Sequence, residues 1–510
     1  MADDHDQERP GLARLESGVA RLDDILKGGF VQGSIYTVFG PPGSGKTIFA
    51  NQTCFNHIKQ GGRCVYVTML VESHAKMLNH LSTLKFFDPS KVSDAIYYVS
   101  AYGTLKQHGF PEMLDLIRKT VRDRKADLLV IDGLESAEQI APTPQSYREF
   151  IHELQAFATL LGCTTLLLST ATDSQIEESL VDGIIELSDT LVGPRAVREL
   201  TVKKFRGSDY LRGRHEVEIL GTGISIHPRT EIQFDRPPEH AGDARVRMAF
   251  GVPRLDEMLH GGLPSGSTTT LLGAPGTGKT LLGLSFLVEG AKQGQQGIYF
   301  GFYEPPPRLC DKAEQVGIPL RHWCEKGLIK LLWQPPLEHM MDSLAEQLLE
   351  RIRDNPMPRR RLFIDGVEGF RAAAVYHDRI PRFLSALTNQ LRTYDVTTLM
   401  TEELELFAPS ASSKNPELAN VAEGVIMLRY IELRSQLYRL ISIMKMRETR
   451  YDTAIREFRI QDKGIEVADS FESAEAILSG FPRLREAGAS YAPAPGGSSP
   501  SGADQGEDGR

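Results

Sequence analysis

The sequence is short of the residues that several classes of protein depend on. Five cysteines (Cys54, Cys64, Cys163, Cys310 and Cys324) are scattered over 510 residues with no CxxC pair. That pattern excludes a disulfide scaffold and a cysteine-rich zinc site, and it fits a reducing compartment. No apolar run approaches the ~18 residues of a membrane-spanning helix. The opening stretch, MADDHDQERP, is acidic and polar, unlike a secretory signal or an Arg-rich transit peptide, so a cytoplasmic location is expected. A surplus of positive charge is missing as well. Lys and Arg number 58 against 67 Asp and Glu, a formal net charge of −9. This argues against bulk attraction to nucleic acid, though not against a local basic patch.

What is present is a repeat. Residues 18–23 read GVARLD, and residues 251–256, 233 positions later, read GVPRLD. GPPGSGKT at 40–47 returns as GAPGTGKT at 273–280, and VIDG at 130–133 as FIDG at 363–366, both at the same offset of 233. A period this long is a tandem duplication of whole domains rather than a solenoid. The expected organisation is a flexible N-terminus (1–10), a first domain (11–242), a second domain (243–483) and a disordered tail (484–510) rich in Gly, Pro, Ser and Ala. Within each copy, apolar strands alternate with helical stretches. The fold class expected from this alternation is α/β: two tandem domains, each a mostly parallel sheet with helices on both faces.

The chemistry lies in two matches to GxxxxGK[ST]. Glycines in such a loop let successive backbone N–H groups face one concavity that suits phosphate oxygens. The predicted nucleotide-binding residues are Gly40, Gly43, Ser44, Gly45, Lys46 and Thr47, with Gly273, Gly276, Thr277, Gly278, Lys279 and Thr280. The lysines would reach the outer phosphates, and Thr47 and Thr280 would place a hydroxyl on Mg²⁺. Asp132 and Asp365 each end an apolar strand 86 residues after their loop lysine, the position expected to hold the Mg²⁺ or its water. ATP and Mg²⁺ are therefore the expected ligands. A carboxylate that orients water is expected at Glu304 in the second copy. Glu72 offers one in the first, a position out of register, because 304 less 233 is Val71. Lys204 with Arg206, and Lys445 with Arg447, sit two apart at strand ends and could neutralise charge on a transferring phosphoryl group.

The order GV.RLD, G.PG.GKT,.IDG and K.R, followed by DTAIREF.I.DKG, resembles KaiC, the circadian-clock ATPase family of the RecA superfamily. The likeness spans both copies and is tightest over 445–464 and 469–480. It implies two tandem RecA-like P-loop domains, stacked as two rings in a homohexamer with ATP between subunits, and it makes Lys204, Arg206, Lys445 and Arg447 residues that reach a neighbour's nucleotide. It also implies protein partners, such as a KaiB-like protein or a signalling kinase, and a Ser/Thr autokinase activity. The chain departs from the pattern in three places. The family's paired glutamates are Tyr303-Glu304 here and Leu70-Val71 in the first copy. The family's adjacent Ser-Thr phosphorylation pair falls on Ala419-Asn420, the nearest hydroxyls being Ser412 and Ser413. Finally, Asp132 precedes Lys204 by 72 residues but Asp365 precedes Lys445 by 80, which puts eight extra residues in 403–423.

Three readings follow. The first is an ATP-hydrolysing regulator that signals its nucleotide state to protein partners. The second is a nucleotide-gated scaffold with little hydrolysis in the first domain. The third is a RecA-type DNA motor, whose single foothold is the run Arg359-Arg360-Arg361.

Overall fold

The computed structural model describes residues 12–69, 74–170, 179–233, 245–335, 339–354, 360–404, 421–433, 435–447 and 449–468. In the first lobe the main elements are β1 (Ile35–Phe39), α1 (Lys46–Lys59), β2 (Cys64–Thr68), β3 (Ile96–Ser100), α2 (Phe110–Arg124), β4 (Leu128–Asp132), α3 (Leu134–Ile140), α4 (Pro144–Leu161), β5 (Thr164–Ser169), β6 (Gly183–Val192), β7 (Arg195–Phe205), β8 (Arg214–Leu220) and β9 (Gly223–His227). The second lobe repeats the series as β10 (Thr268–Gly273), α5 (Lys279–Lys292), β11 (Gly297–Gly301), β12 (Ile329–Trp333), α6 (Met341–Arg353), β13 (Arg360–Asp365), α7 (Glu368–Ala373), α8 (Ile380–Thr393), β14 (Val396–Glu403), β15 (Gly424–Leu433), β16 (Gln436–Met446), β17 (Arg456–Gln461) and β18 (Gly464–Val467). No helix among the described residues is long and apolar enough to cross a membrane.

Each lobe holds one nine-stranded sheet. The first runs β9-β8-β7-β6-β1-β5-β4-β2-β3 and the second β18-β17-β16-β15-β10-β14-β13-β11-β12, the same order strand for strand. The strands from β6 to β3 are parallel, and β7, β8 and β9 continue the sheet as an antiparallel meander. Alternate residues of a strand face opposite sides, so a strand covered on both faces must be apolar throughout. Tyr36, Val38, Tyr66, Val130 and Leu166 pack on one face with Phe49 and Cys54 of α1. Their neighbours Ile35, Phe39, Val65, Leu129 and Leu167 pack on the other with Ile117 of α2 and Phe150 and Leu154 of α4. Helices thus cover both faces, and the two mostly parallel sheets agree with the fold class expected from the sequence.

The pairing carries the repeat offset into three dimensions. Ile35 pairs with Thr165, and Thr268, 233 residues on, pairs with Thr398. On the other side Tyr36 pairs with Gly183 but Thr269 with Gly424, an offset that has grown by eight. The extra residues therefore lie between Thr398 and Gly424. Most of that segment, with Ser412, Ser413, Ala419 and Asn420, is outside the described residues, as are the 469–480 segment and the tail.

The lobes meet through buried polar groups. Glu216 of β8 accepts the N–H groups of Asp342 (2.9 Å) and Ser343 (3.3 Å) in the first turn of α6, satisfying donors that a helix start leaves open. Asp342 in turn accepts the backbone N–H and hydroxyl of Thr230, at 3.0 and 2.9 Å, and pairs with Arg379 at 2.8 Å. His227, ending β9, lies between Glu346 (2.6 Å) and Glu218 (3.1 Å). Burial disfavours the charged ring, but the two carboxylates overcome it and raise the His227 pKa to about 10. Arg21 also pairs with Glu346.

Candidate nucleotide sites

Ligands of open α/β sheets bind beyond the carboxyl ends of the strands, and that is where each P-loop lies. The loop leaves β1 at Gly40 and enters α1 through Gly45, whose φ of 99° is a left-handed value that favours glycine. Gly278 does the same before α5 with a φ of 103°. At Gly43, φ 86°, the backbone again takes a left-handed value, and an added Cβ would meet no atom within 4 Å. Lys46 Nζ donates to the carbonyls of Gly40 (2.6 Å) and Pro41 (3.0 Å), while Lys279 Nζ donates to Gly273 (2.7 Å) and Ala274 (3.0 Å). Burial lowers the pKa of both lysines. Glu135 and then Asp132 oppose it at Lys46, and Glu403, Asp365 and Glu368 oppose it at Lys279.

The hydroxyl that begins each helix meets the aspartate that ends a strand. Thr47 Oγ1 donates to Asp132 Oδ2 at 3.2 Å, and Thr280 Oγ1 to Asp365 Oδ2 at 2.9 Å. A tyrosine not singled out in the sequence supports each aspartate from the second strand. Tyr66 donates to Asp132 Oδ2 at 2.8 Å, and Tyr299, at the repeat offset of 233, donates to Asp365 Oδ2 at 3.2 Å. Asp365 gains a further bond from Thr401, 3.1 Å. Burial pushes both carboxyls up in pKa, and these hydroxyls pull the other way. Adjacent hard oxygens of this kind fit a small divalent cation of the Mg²⁺ type.

In the second lobe Lys279, Thr280 and Asp365 line a cavity of about 430 Å³ together with Glu304, Glu368 and Glu403. Glu304 stands in the cavity, with Oε1 held by Lys312 at 2.9 Å and Oε2 buried without a hydrogen-bond partner. Glu72 lies outside the described residues. Two further carboxylates appear that sequence reasoning passed over: Glu135 and Glu368, each three residues after its aspartate. The repeat offset links them too, and testing every polar residue against 233 would have found both.

The Lys-Arg pairs stand elsewhere. The Arg206 N–H binds Asp182 O, and the Asp182 N–H binds Ile35 O, so Arg206 lies level with the start of β1, the end opposite its own P-loop. Arg447 is linked through Glu423 to Thr268 at the start of β10 in the same way. Lys204 and Lys445 lie one strand-step inward, paired with Ile184 and Val425. Arg206 falls just beyond β7, and Lys445 Nζ binds Ala422 O at 2.9 Å. The structure does not bring these four side chains to the P-loop of their own lobe.

The basic run at 359–361 also reads differently in three dimensions. Arg361 is fully buried, donating to Ala249 O (2.5 Å), Phe286 O (2.8 Å) and Gln295 (2.8 Å), and Arg360 is buried beside it. Neither is placed to contact a phosphate backbone, which weakens the DNA-motor reading; Arg359 lies outside the described residues.

Two P-loops, each paired with a strand-end aspartate on a mostly parallel sheet, define a tandem RecA-like P-loop ATPase. The ATPase family KaiC matches residues 15–231 and 248–472, and the chain belongs to that family. Among its relatives are proteins described as "Circadian clock oscillator protein KaiC". The one from Parathermosynechococcus lividus is 27% identical over 93% of this chain and 89% of its own length. Those from Rippkaea orientalis and Synechococcus elongatus are 27% and 26% identical, over 92% and 94% of this chain and 92% and 93% of theirs.

Proposed function

We propose that the protein binds and hydrolyses ATP in both lobes of a homohexamer and passes its nucleotide state to a protein partner. The observation that carries this is the repeated Lys-Thr-Asp-Tyr arrangement in the two lobes. Gly40–Thr47 and Gly273–Thr280 would cradle the phosphates, with Lys46 and Lys279 turning from their loop carbonyls to the outer phosphate oxygens. Thr47 with Asp132, and Thr280 with Asp365, would hold Mg²⁺, which when bound supplies positive charge against the phosphates. A carboxylate near each phosphate site would orient the attacking water; the sequence pattern offers Glu304, and Glu72 in the first lobe. Lys204, Arg206, Lys445 and Arg447 would serve the site of an adjacent subunit. Their place at the far end of the sheet supports action in trans over action in cis. The partner would be a KaiB-like protein or a signalling kinase, and any autokinase step would need Ser412 or Ser413 in place of the pair at Ala419-Asn420.

The test is ATP turnover and particle mass for the wild type and for the Lys46→Ala/Lys279→Ala double variant. The expected result is a six-subunit particle with ATP, and turnover that the double variant abolishes. Undiminished turnover in that variant refutes the ATPase reading. Turnover that survives loss of Lys46 alone favours a scaffold role for the first lobe.

A further inference from the structure

We infer that Glu135 and Glu368 are the carboxylates that hold and orient the attacking water, one in each lobe. This rests on the ATPase reading and deepens it. Water that attacks a phosphoryl group needs an acceptor placed within hydrogen-bond reach of its proton. Glu304 and Glu72 are an uneven pair for that work. They differ by one position in register, and one oxygen of Glu304 is held by Lys312. Glu135 and Glu368 share one register at the repeat offset, although Glu368, like Glu304, has one oxygen held and the other without a partner. Each lies three residues after its Mg²⁺-side aspartate, in the first turn of the helix that follows β4 or β13.

The surroundings of the two agree. Both carboxylates have Oε2 buried without a hydrogen-bond partner. A buried carboxylate oxygen with no donor is costly, so such an atom marks a place where a water or ligand donor is expected. In the second lobe Glu368 Oε1 accepts the Glu403 N–H at 2.7 Å, which fixes the side chain and leaves Oε2 for a second donor. The cavity it lines also holds Lys279, Thr280 and Asp365, the groups around the outer phosphate. In the first lobe Glu135 opens the helix after Asp132 in the same way, 233 residues before Glu368. Glu368 thus shares a cavity with Lys279, and Glu135 stands at the same point of the first lobe's repeat.

The step balances with water and ATP alone. The water oxygen forms a bond to the γ-phosphorus, and the bond from that phosphorus to the bridging oxygen breaks. ADP leaves with the electron pair. The water proton passes to the glutamate and from there to the released phosphate.

Glu135→Gln and Glu368→Gln keep size and shape but remove the proton acceptor. In the double variant of the full-length protein, ATP turnover is expected to fall about a hundredfold, while affinity for ADP stays within about twofold of the wild type. Glu304→Gln is expected to lower turnover less than Glu368→Gln does. Turnover within about twofold of wild type in the double variant, with Lys46→Ala/Lys279→Ala still inactive, overturns this inference and leaves the ATPase reading standing. A hundredfold loss from Glu304→Gln, with none from Glu368→Gln, also overturns it. A wild-type protein that binds ATP without turning it over removes both readings. Loss of ADP binding together with turnover would show that the two glutamates shape the pocket only, and would overturn the assignment.

Discussion

In the first lobe the helix behind the P-loop buries Asn51, Gln52 and Thr53, and in the second the same positions hold Leu284, Ser285 and Phe286. Gln52 donates to Gly18 O and Ile224 O, both at 3.1 Å, and accepts the Ile224 N–H at 2.7 Å. It ties α1 to the meander by hydrogen bonds. In the second lobe the place of Gln52 is taken by Ser285, and Leu284 and Phe286 on either side of it belong to the apolar core. A second exchange lies close by. His57 pairs with Asp127 at 2.7 Å in the first lobe. Its counterpart is Gly290, where an added Cβ would come within 2.5 Å of Arg361, the buried cation that replaces Leu128. At the mouth of the site Asp189 pairs with Arg198 at 3.1 Å, whereas the second lobe has Tyr430 and Arg439, with the Tyr430 hydroxyl bound to the P-loop carbonyl of Gly276 at 2.6 Å. The groups facing the phosphates are thus alike and the walls behind them are not. Packing tolerates such exchanges when volume and hydrogen bonds are matched locally, but a phosphate site must keep its donors in place.

Substitution of the two lysines puts this contrast to its hardest test. If the sites are equivalent despite their walls, Lys46→Ala and Lys279→Ala should each lower their own lobe's single-turnover hydrolysis by about a hundredfold to a thousandfold. A deficit confined to one of them would break the equivalence. Next in size is the junction between the lobes. His227→Gln removes a buried cation from between Glu218 and Glu346 and should cost about 3 kcal/mol of stability, seen as faster hydrogen exchange in Met341–Arg353. Because the folded His227 pKa of about 10 lies above the ordinary 6.5, its contribution is complete below pH 6.5 and is lost as pH rises through 10. The wild type and the variant should therefore converge in thermal stability at alkaline pH, and a gap that stays constant from pH 6 to 10 would rule this out.

Smaller effects separate the aspartates. Tyr66→Phe should weaken Mg²⁺-dependent nucleotide binding by roughly tenfold. Tyr299→Phe should weaken it less, because Thr401 also supports Asp365. Magnesium titrations read by nucleotide fluorescence would show the order, and equal losses would contradict it. Least of all, Tyr430→Phe removes one tether on the second P-loop, worth about 1 kcal/mol. It should change ADP affinity a few-fold in the second lobe alone, as measured by calorimetry in a Lys46→Ala background.

The parts legible in the sequence are those written in short stretches. A glycine-rich loop, an apolar strand closed by Asp and a following helix each depend on neighbours a few residues away, so Gly40–Thr47, Asp132 and their second copies could be read directly. Glu304 was legible through its position after the second strand. Its tie to Lys312 was not, because a side chain eight residues on must fold back to make it. Glu135 and Glu368 carried a visible signal in their common spacing, but a lone glutamate at a helix start reads equally well as a solvated one. The burial of Arg360 and Arg361 was not legible for a related reason. Charge in a sequence does not say which face of a strand it occupies.

The sequence by itself determined the duplication, the two phosphate loops, the aspartates that stand beside them and the alternation of strands and helices, because each follows from local pattern or from one constant offset. The tertiary structure alone decided which distant groups share a site: Tyr66 and Tyr299 on the aspartates, an unpartnered carboxylate oxygen on Glu135 and on Glu368, the Lys-Arg pairs at the far end of the sheet and the buried ionic seam between the lobes. Those contacts join residues tens to hundreds of positions apart. Strand register and the closing of each core bring them together, and neither is written in any one stretch of the chain.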